Sequence, residues 1–277
     1  MMRRTRHIIC ALICALGVSA PLAAQMAGQN TGLTRLTDRD DLFGWEAVGR
    51  VDMAESAFCT GVLIAPDLVL TAAHCLYDRQ GKLRQADSLT FRAGLRDGRA
   101  IAERVVARYV APNAYDPRAG MTAKNIRHDA ALLQLVEPVQ TQLADPFVLY
   151  GPARKGQRVS VVSYGQDRDA APSWQRECGL LWHQDGLMAF DCNVTYGSSG
   201  APVFAHAGHR ARILSLVSSG RTDTADPIAY GMDLPDLIAE LKRDLRAMPA
   251  LRPATKGFRR VQVGSGTRAT GAKFARP

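Results

Sequence analysis

A histidine, an aspartate and a serine, each set in a short segment of small and apolar residues, are the parts of this sequence that could do chemistry. The segments are Leu70-Thr71-Ala72-Ala73-His74-Cys75, Asp129-Ala130-Ala131-Leu132-Leu133 and Gly197-Ser198-Ser199-Gly200-Ala201-Pro202. A serine hydroxyl is a weak nucleophile at neutral pH and needs a base within hydrogen-bond reach, and an imidazole has a pKa suited to that task. The imidazole must hold one tautomer and become cationic transiently, which a buried carboxylate favours. His74 as base, Asp129 as the orienting carboxylate and a serine as nucleophile would give covalent catalysis. Residue type alone leaves Ser198 and Ser199 both open.

Residues drawn from three distant segments need a rigid frame. From Trp45 onward the chain is a series of short apolar runs bounded by turn residues, at 57–65, 68–73, 88–93, 101–110, 130–136, 158–164, 179–183, 187–192, 202–205 and 212–217. Pro66-Asp67, Asp185-Gly186 and Ala207-Gly208 supply turn chemistry between neighbouring runs. Many short strands with few helices predict an all-β sandwich or barrel. The exception is 234–247, where Leu234, Leu237, Ile238, Leu241 and Leu245 recur at helical spacing and Pro235 suits a first turn.

The ends of the chain read differently. Arg3, Arg4 and Arg6 precede an uncharged run over 8–18 and then small residues, the pattern of a secretory signal peptide over 1–24. That run is too short for a stable membrane span, which needs about 20 apolar residues. Residues 25–41 are polar and aperiodic and read as a flexible lead-in or pro-segment. The formal net charge is +9, but three cations lie in the leader and seven after Ala250, so the body is close to neutral. A nucleic-acid-binding body is therefore not expected, and 249–277 reads as a disordered basic tail able to touch anionic surfaces.

Without the leader, Cys59, Cys75, Cys178 and Cys192 remain, and four cysteines in an exported chain predict two disulfides. Cys178 and Cys192 lie within one residue of facing each other across an Asp185-Gly186 hairpin, and Cys59 and Cys75 would tie the first hairpin together beside His74. No C-x-x-C pair is present, and His206 and His209 flank a turn with no carboxylate or cysteine nearby in sequence, so no metal site is expected. His128, His183 and Asp185 likewise read as ordinary surface residues.

Taken together, the three segments resemble the T-A-A-H-C, D-I-A-L-L and G-D-S-G-G-P signatures of the chymotrypsin-like, or trypsin-like, serine peptidases, in the order His, Asp, Ser, across about residues 45–247. The resemblance implies two six-stranded antiparallel β-barrels, at 42–150 and 151–233, with a C-terminal helix at 234–248 and the site in the cleft between the barrels. It also implies Ser199 as nucleophile, the backbone N–H groups of Gly197 and Ser199 as the oxyanion hole, and no cofactor. Asn193, Ser218, Ser219 and Gly220 would then form the substrate pocket, with Ser218 supporting Asp129.

Two departures stand out. Ser198 replaces the aspartate that pairs with a freed N-terminal amine in zymogen-activated members, and no Ile-Val-Gly-Gly start is present to supply that amine. Asn193 stands where a trypsin-type pocket has aspartate, and no histidine matches the position that glutamyl-specific members use. The expectation is a secreted or periplasmic, monomeric serine endopeptidase acting on protein or peptide substrates. The alternative is a catalytically silent or latent binding protein on the same fold.

Overall fold

A computed structural model describes residues 32–53, 57–207, 210–221 and 227–249. The chain enters through β1 (Leu33–Arg35) and a short helix α1 (Arg39–Leu42). It then lays down β2 (Val48–Asp52), β3 (Phe58–Ala65), β4 (Leu68–Thr71), β5 (Thr90–Ala93) and β6 (Ala102–Val110), and, after α2 (Ala123–Arg127), β7 (Ala131–Leu135). Strands β2 to β7 close into a six-stranded barrel in the order β2-β3-β4-β7-β6-β5, each pair antiparallel. Val62, Leu70, Phe91 and Leu132 fill its interior without solvent exposure. All four residues of β4 are buried, which seats the segment leading to His74 in the interior of the barrel wall.

The second half contains β8 (Arg158–Ser163), β9 (Ser173–Gln184), β10 (Leu187–Phe190), β11 (Pro202–Ala207), β12 (Arg210–Leu216), β13 (Ser219–Arg221) and β14 (Ile228–Met232). It forms one eight-stranded sheet in the order β12-β11-β8-β9-β10-β14-β13, with β1 added beside β9. The architecture is all-β and divided into two halves, as expected, but the second half carries eight strands rather than six. The strands that no expected run covers are β1, β13 and β14. Residues 33–35, expected to belong to a flexible lead-in, pair with Ser173, Trp174 and Gln175, and Leu36 beyond them is buried. The expected run at 179–183 is the end of a twelve-residue strand, whose earlier portion carries Arg176 and Glu177 outward and so lacks an apolar signature. The leader at 1–24 and nearly all of the basic tail lie outside the described residues.

The two halves are joined by an aromatic cluster. Trp45 lies 5.9 Å from Phe147, 5.1 Å from Trp174 and 5.0 Å from Phe204, between ring centroids. Helix α3 (Pro235–Ala247) returns from the second half and docks Ile238, Leu241 and Leu245 in the core cluster of the first. Both disulfides are present. The Asp185-Gly186 turn takes positive φ at both residues, as a two-residue hairpin turn demands. A bulge between Ala189 and Phe190 shifts the β9/β10 register by one residue and brings Cys192 opposite Cys178.

The Cys178–Cys192 bond spans a sequence separation of 14. Replacing both cysteines with serine is expected to cost about 3 kcal/mol in the chain-entropy view. Denaturant unfolding of the double variant against the parent under oxidising conditions measures it.

Candidate active site

His74 sits on a single tight turn, residues Ala73–Leu76, directly after β4, and Asp129 follows α2 just ahead of β7. Because β4 and β7 are hydrogen-bonded neighbours, pairing Thr71 with Ala131, the two side chains emerge at the same end of the barrel. Asp129 is buried, and its carboxylate accepts three hydrogen bonds. The His74 backbone N–H reaches Oδ1 at 2.9 Å, the His74 ring Nδ1 reaches Oδ2 at 2.8 Å, and the Ser218 hydroxyl reaches Oδ2 at 2.6 Å. An ionised carboxylate only accepts, so Nδ1 carries the ring proton and Nε2 keeps its lone pair.

Burial pulls the His74 pKa down, but the charge of Asp129 and its hydrogen bond to the ring outweigh this, so the value lies above the ordinary 6.5. The ring is held while keeping access, with 34 % of the His74 side chain exposed against 5 % for Asp129.

Ser199 comes from the second half, on the connection between β10 and β11. It lines the same cleft as His74, a space of about 410 Å³ that also takes in Ser218, Ser219 and Gly220. A second cleft of about 720 Å³ continues past His74, Ser199 and Gly197 on the other side. Thr60 of β3 clamps the turn that carries Ser199. Its amide donates to the Ser199 carbonyl at 2.8 Å and its hydroxyl to the Gly197 carbonyl at 2.9 Å. Among the described residues, no carbonyl accepts from the amides of Gly197 or Ser199. Gly197 holds φ +90°, and a Cβ there would lie 2.2 Å from the Phe58 ring.

His74, Asp129, Ser199, Gly197, Ser218, Ser219 and Gly220 are thus brought together, and Asn193 is not. Its amide donates to Gln175 Oε1 at 2.7 Å, which ties this point of the chain to β9, and the cleft wall is formed instead by Val194, Thr195 and Tyr196. The hydroxyl of Ser218 is committed to Asp129, whereas the buried Ser219 Oγ has no partner among the described residues.

Sequence reasoning missed the far wall of the cleft, where Tyr115, Met121, Asn125 and Ile126 come from the stretch 112–128. Asn125 organises that stretch, accepting from the Asp116 amide and donating to the carbonyls of Asp116 and Gly120. An asparagine set between Lys124 and Arg127 carries no sequence signal for this.

Cys59, His74 and Cys75 gather within 4.8 Å, but both sulfurs are spent in the Cys59–Cys75 bond and none is a thiolate. His206 is exposed, and His209 lies outside the described residues. His183 is hydrogen-bonded to Asp233, and His128 to the Lys124 carbonyl.

A closed barrel and a second sheet, with a histidine, a carboxylate and a serine converging between them, define a bilobal β protein built around an interdomain cleft. The chain belongs to the trypsin-like peptidase family, whose domain pattern matches residues 59–210. It is similar to a glutamyl endopeptidase of Bacillus licheniformis, with 28 % identity over 155 residues, covering 55 % of this chain and 46 % of that protein. The match therefore spans about half the length of that relative.

Among solved structures, a Glu endopeptidase in complex with MPD superposes with a TM-score of 0.65 at 16 % identity, covering 78 % of this chain and 97 % of the other. The protease Anisep from Arthrobacter nicotinovorans gives 0.59 at 18 % identity, over 73 % of this chain and 96 % of the other. At these identities the likeness concerns the fold.

Proposed function

We propose that this chain is a secreted serine endopeptidase that cleaves peptide bonds through an acyl-enzyme on Ser199. The observation that carries the reading is the buried Asp129 carboxylate, which fixes His74 by two hydrogen bonds at the wall of the cleft that Ser199 also lines. As His74 Nε2 takes the hydroxyl proton, Ser199 Oγ bonds to the substrate carbonyl carbon. The resulting oxyanion is received by the amides of Gly197 and Ser199. His74 then returns the proton to the leaving amine as the C–N bond breaks. Water, deprotonated by the same imidazole, releases the acid and restores the serine.

Apart from His74 and Asp129, which the chemistry uses, the narrower cleft carries no Asp, Glu, Lys, Arg or further His among the described residues. That neutral lining, with Asn125, Thr195 and Ser219 among its polar residues, suits a polar, uncharged side chain next to the bond cleaved. Export is supported by the two disulfides and by the leader pattern over 1–24. Among the described residues, no helix is long and apolar enough to cross a membrane.

Intact-mass analysis with a fluorophosphonate probe tests the reading. One adduct on the wild type and none on Ser199→Ala is the expected pattern, after which a peptide library should show cleavage beside uncharged residues. A folded, disulfide-bonded wild type that takes no adduct would replace this reading with that of a silent or latent binding protein.

The pH dependence follows from the sign of the His74 shift. The base must be neutral to accept the proton, and Asp129 stabilises the protonated ring, so activity is lost as pH falls through a midpoint above 6.5. A kcat/KM profile places that midpoint; a value below 6.5 would mean that burial of the ring outweighs the charge of Asp129.

A further inference from the structure

Among the described residues, Arg168 is the one strongly desolvated cation that the mechanism above leaves without a task. It lies on a β-turn at 165–168, closed by its own amide donating to the Gly165 carbonyl at 3.0 Å. The guanidinium turns inward. Its Nη1 donates to the Ser163 carbonyl at 2.7 Å, and its Nη2 donates to Ser163 Oγ at 3.1 Å and to Ser198 Oγ at 3.0 Å. No carboxylate is paired with it among the described residues, and burial alone pulls its pKa down to about 10. A cation buried against neutral acceptors, with no carboxylate beside it, costs stability even when its N–H groups are hydrogen-bonded.

What it touches is the inner side of the nucleophile turn. Ser198 is fully buried, and its single oxygen accepts from Arg168 and from the Thr195 amide (3.2 Å) while donating to the Tyr164 carbonyl at 3.2 Å. The same 165–168 turn makes a second bond to this region, from the Gln166 amide to the Tyr196 carbonyl at 2.7 Å. In a trans peptide the N–H points away from the C=O. Drawing the Tyr196 oxygen toward Gln166 therefore aims the Gly197 N–H the other way, on the side of the cleft that Gly197 lines. Gly165 is required for this packing, because a Cβ there would lie 2.7 Å from Arg168 Cζ and 2.7 Å from Thr195 Cγ2.

We propose that Arg168 is a positioning residue that, through Ser198, which has no carboxylate to pair with an N-terminal amine, holds residues 195–200 in the oxyanion-binding form. The proposal rests on the peptidase reading of the site. Arg168 touches no reacting atom; it makes the hole ready before substrate arrives, so its loss falls on the chemical step and not on ground-state binding.

The test uses the full chain carrying Arg168→Met, Arg168→Lys or Ser198→Ala. Arg168→Met should lower kcat and the rate of fluorophosphonate acylation by about 100-fold, the scale of one lost oxyanion donor, with KM changed less than about 3-fold. Arg168→Lys should recover about a tenth of wild-type kcat or more, because a cation again reaches Ser198. Hydrogen exchange at the amides of 195–200 should quicken in Arg168→Met.

A folded Arg168→Met protein with kcat within about 3-fold of wild type, or one whose loss lies wholly in KM, overturns the proposal. If Arg168→Met does not fold, Ser198→Ala decides, since acylation at the wild-type rate there overturns it and slowed acylation supports it. If the wild type itself takes no label, the peptidase reading has failed, and exchange at 195–200 alone decides for or against the role of Arg168.

Discussion

Asp129→Asn is expected to lower kcat by roughly 10⁴-fold while leaving KM and the fold nearly unchanged. The carboxylate offers both oxygens as acceptors, one to the His74 amide and one shared by the ring Nδ1 and Ser218. An amide of the same size can still accept from the His74 backbone through its oxygen, but it then presents NH₂ where the ring and Ser218 look for an acceptor. Ser218 can rotate to accept; the imidazole can only respond by moving its proton to Nε2. A protonated Nε2 takes no proton from Ser199, so the nucleophile is stranded although every atom remains near its place. The acid limb of the pH profile should move as well. Burial alone lowers the His74 pKa, and Asp129 is what raises it, so the residual activity should titrate at lower pH than in the wild type. Steady-state kinetics across pH check both effects, and a loss below about 10-fold would mean that Asp129 does not select the tautomer.

How far the site could be read in advance follows from how local each feature is. His74 and Asp129 could be placed because each sits in a short motif against a strand whose residues are nearly all apolar, β4 and β7, although the strand pairing that brings them together joins residues 55 apart in sequence. The Asp185-Gly186 hairpin and its flanking cysteines were legible for the same reason, turn chemistry and spacing being confined to a sequence separation of 14, although the bulge that completes the register was not.

Arg168 was illegible. In sequence it stands in the run Gly165-Gln166-Asp167-Arg168-Asp169-Ala170, which reads as a solvated loop. Its burial arises only because Ser163 and Ser198, 35 residues apart, meet beneath it. Asn193 differs in the opposite way. Counting back from Ser199 gave it a pocket position, but its backbone N–H is bonded to Gln175 of β9, whose strand has no apolar alternation at that point, and the cleft is lined by Val194, Thr195 and Tyr196 instead. Strand β1 is three residues long and largely polar, and only its partner gives it a structure.

The tightest joint between the two halves predicts the largest stability effect. Gly200, next to the nucleophile, has φ +75°, and a Cβ on it would lie 2.3 Å from Thr71 Oγ1, 2.4 Å from the Thr60 carbonyl oxygen and 2.7 Å from the Ala72 amide nitrogen. Two of these are backbone atoms of the first barrel that cannot swing aside, since Thr60 lies in β3 and Ala72 precedes His74. Gly200→Ala should therefore cost about 4 kcal/mol or more, combining left-handed strain with overpacking. For a chain of this size that is a fall in Tm of about 10 °C or more. Gly98→Ala separates the two contributions. Gly98 has a similar φ of +79° but nothing within 4 Å of its Cβ position, so it should lose only about 1–2 kcal/mol. Calorimetry on the pair measures the difference, which is the energy of close approach alone. Where Gly200→Ala still folds, the Thr60 clamp on the Ser199 carbonyl must lengthen, and kcat should fall with it. Equal losses at both glycines would show that the two halves are not wedged together at the nucleophile turn.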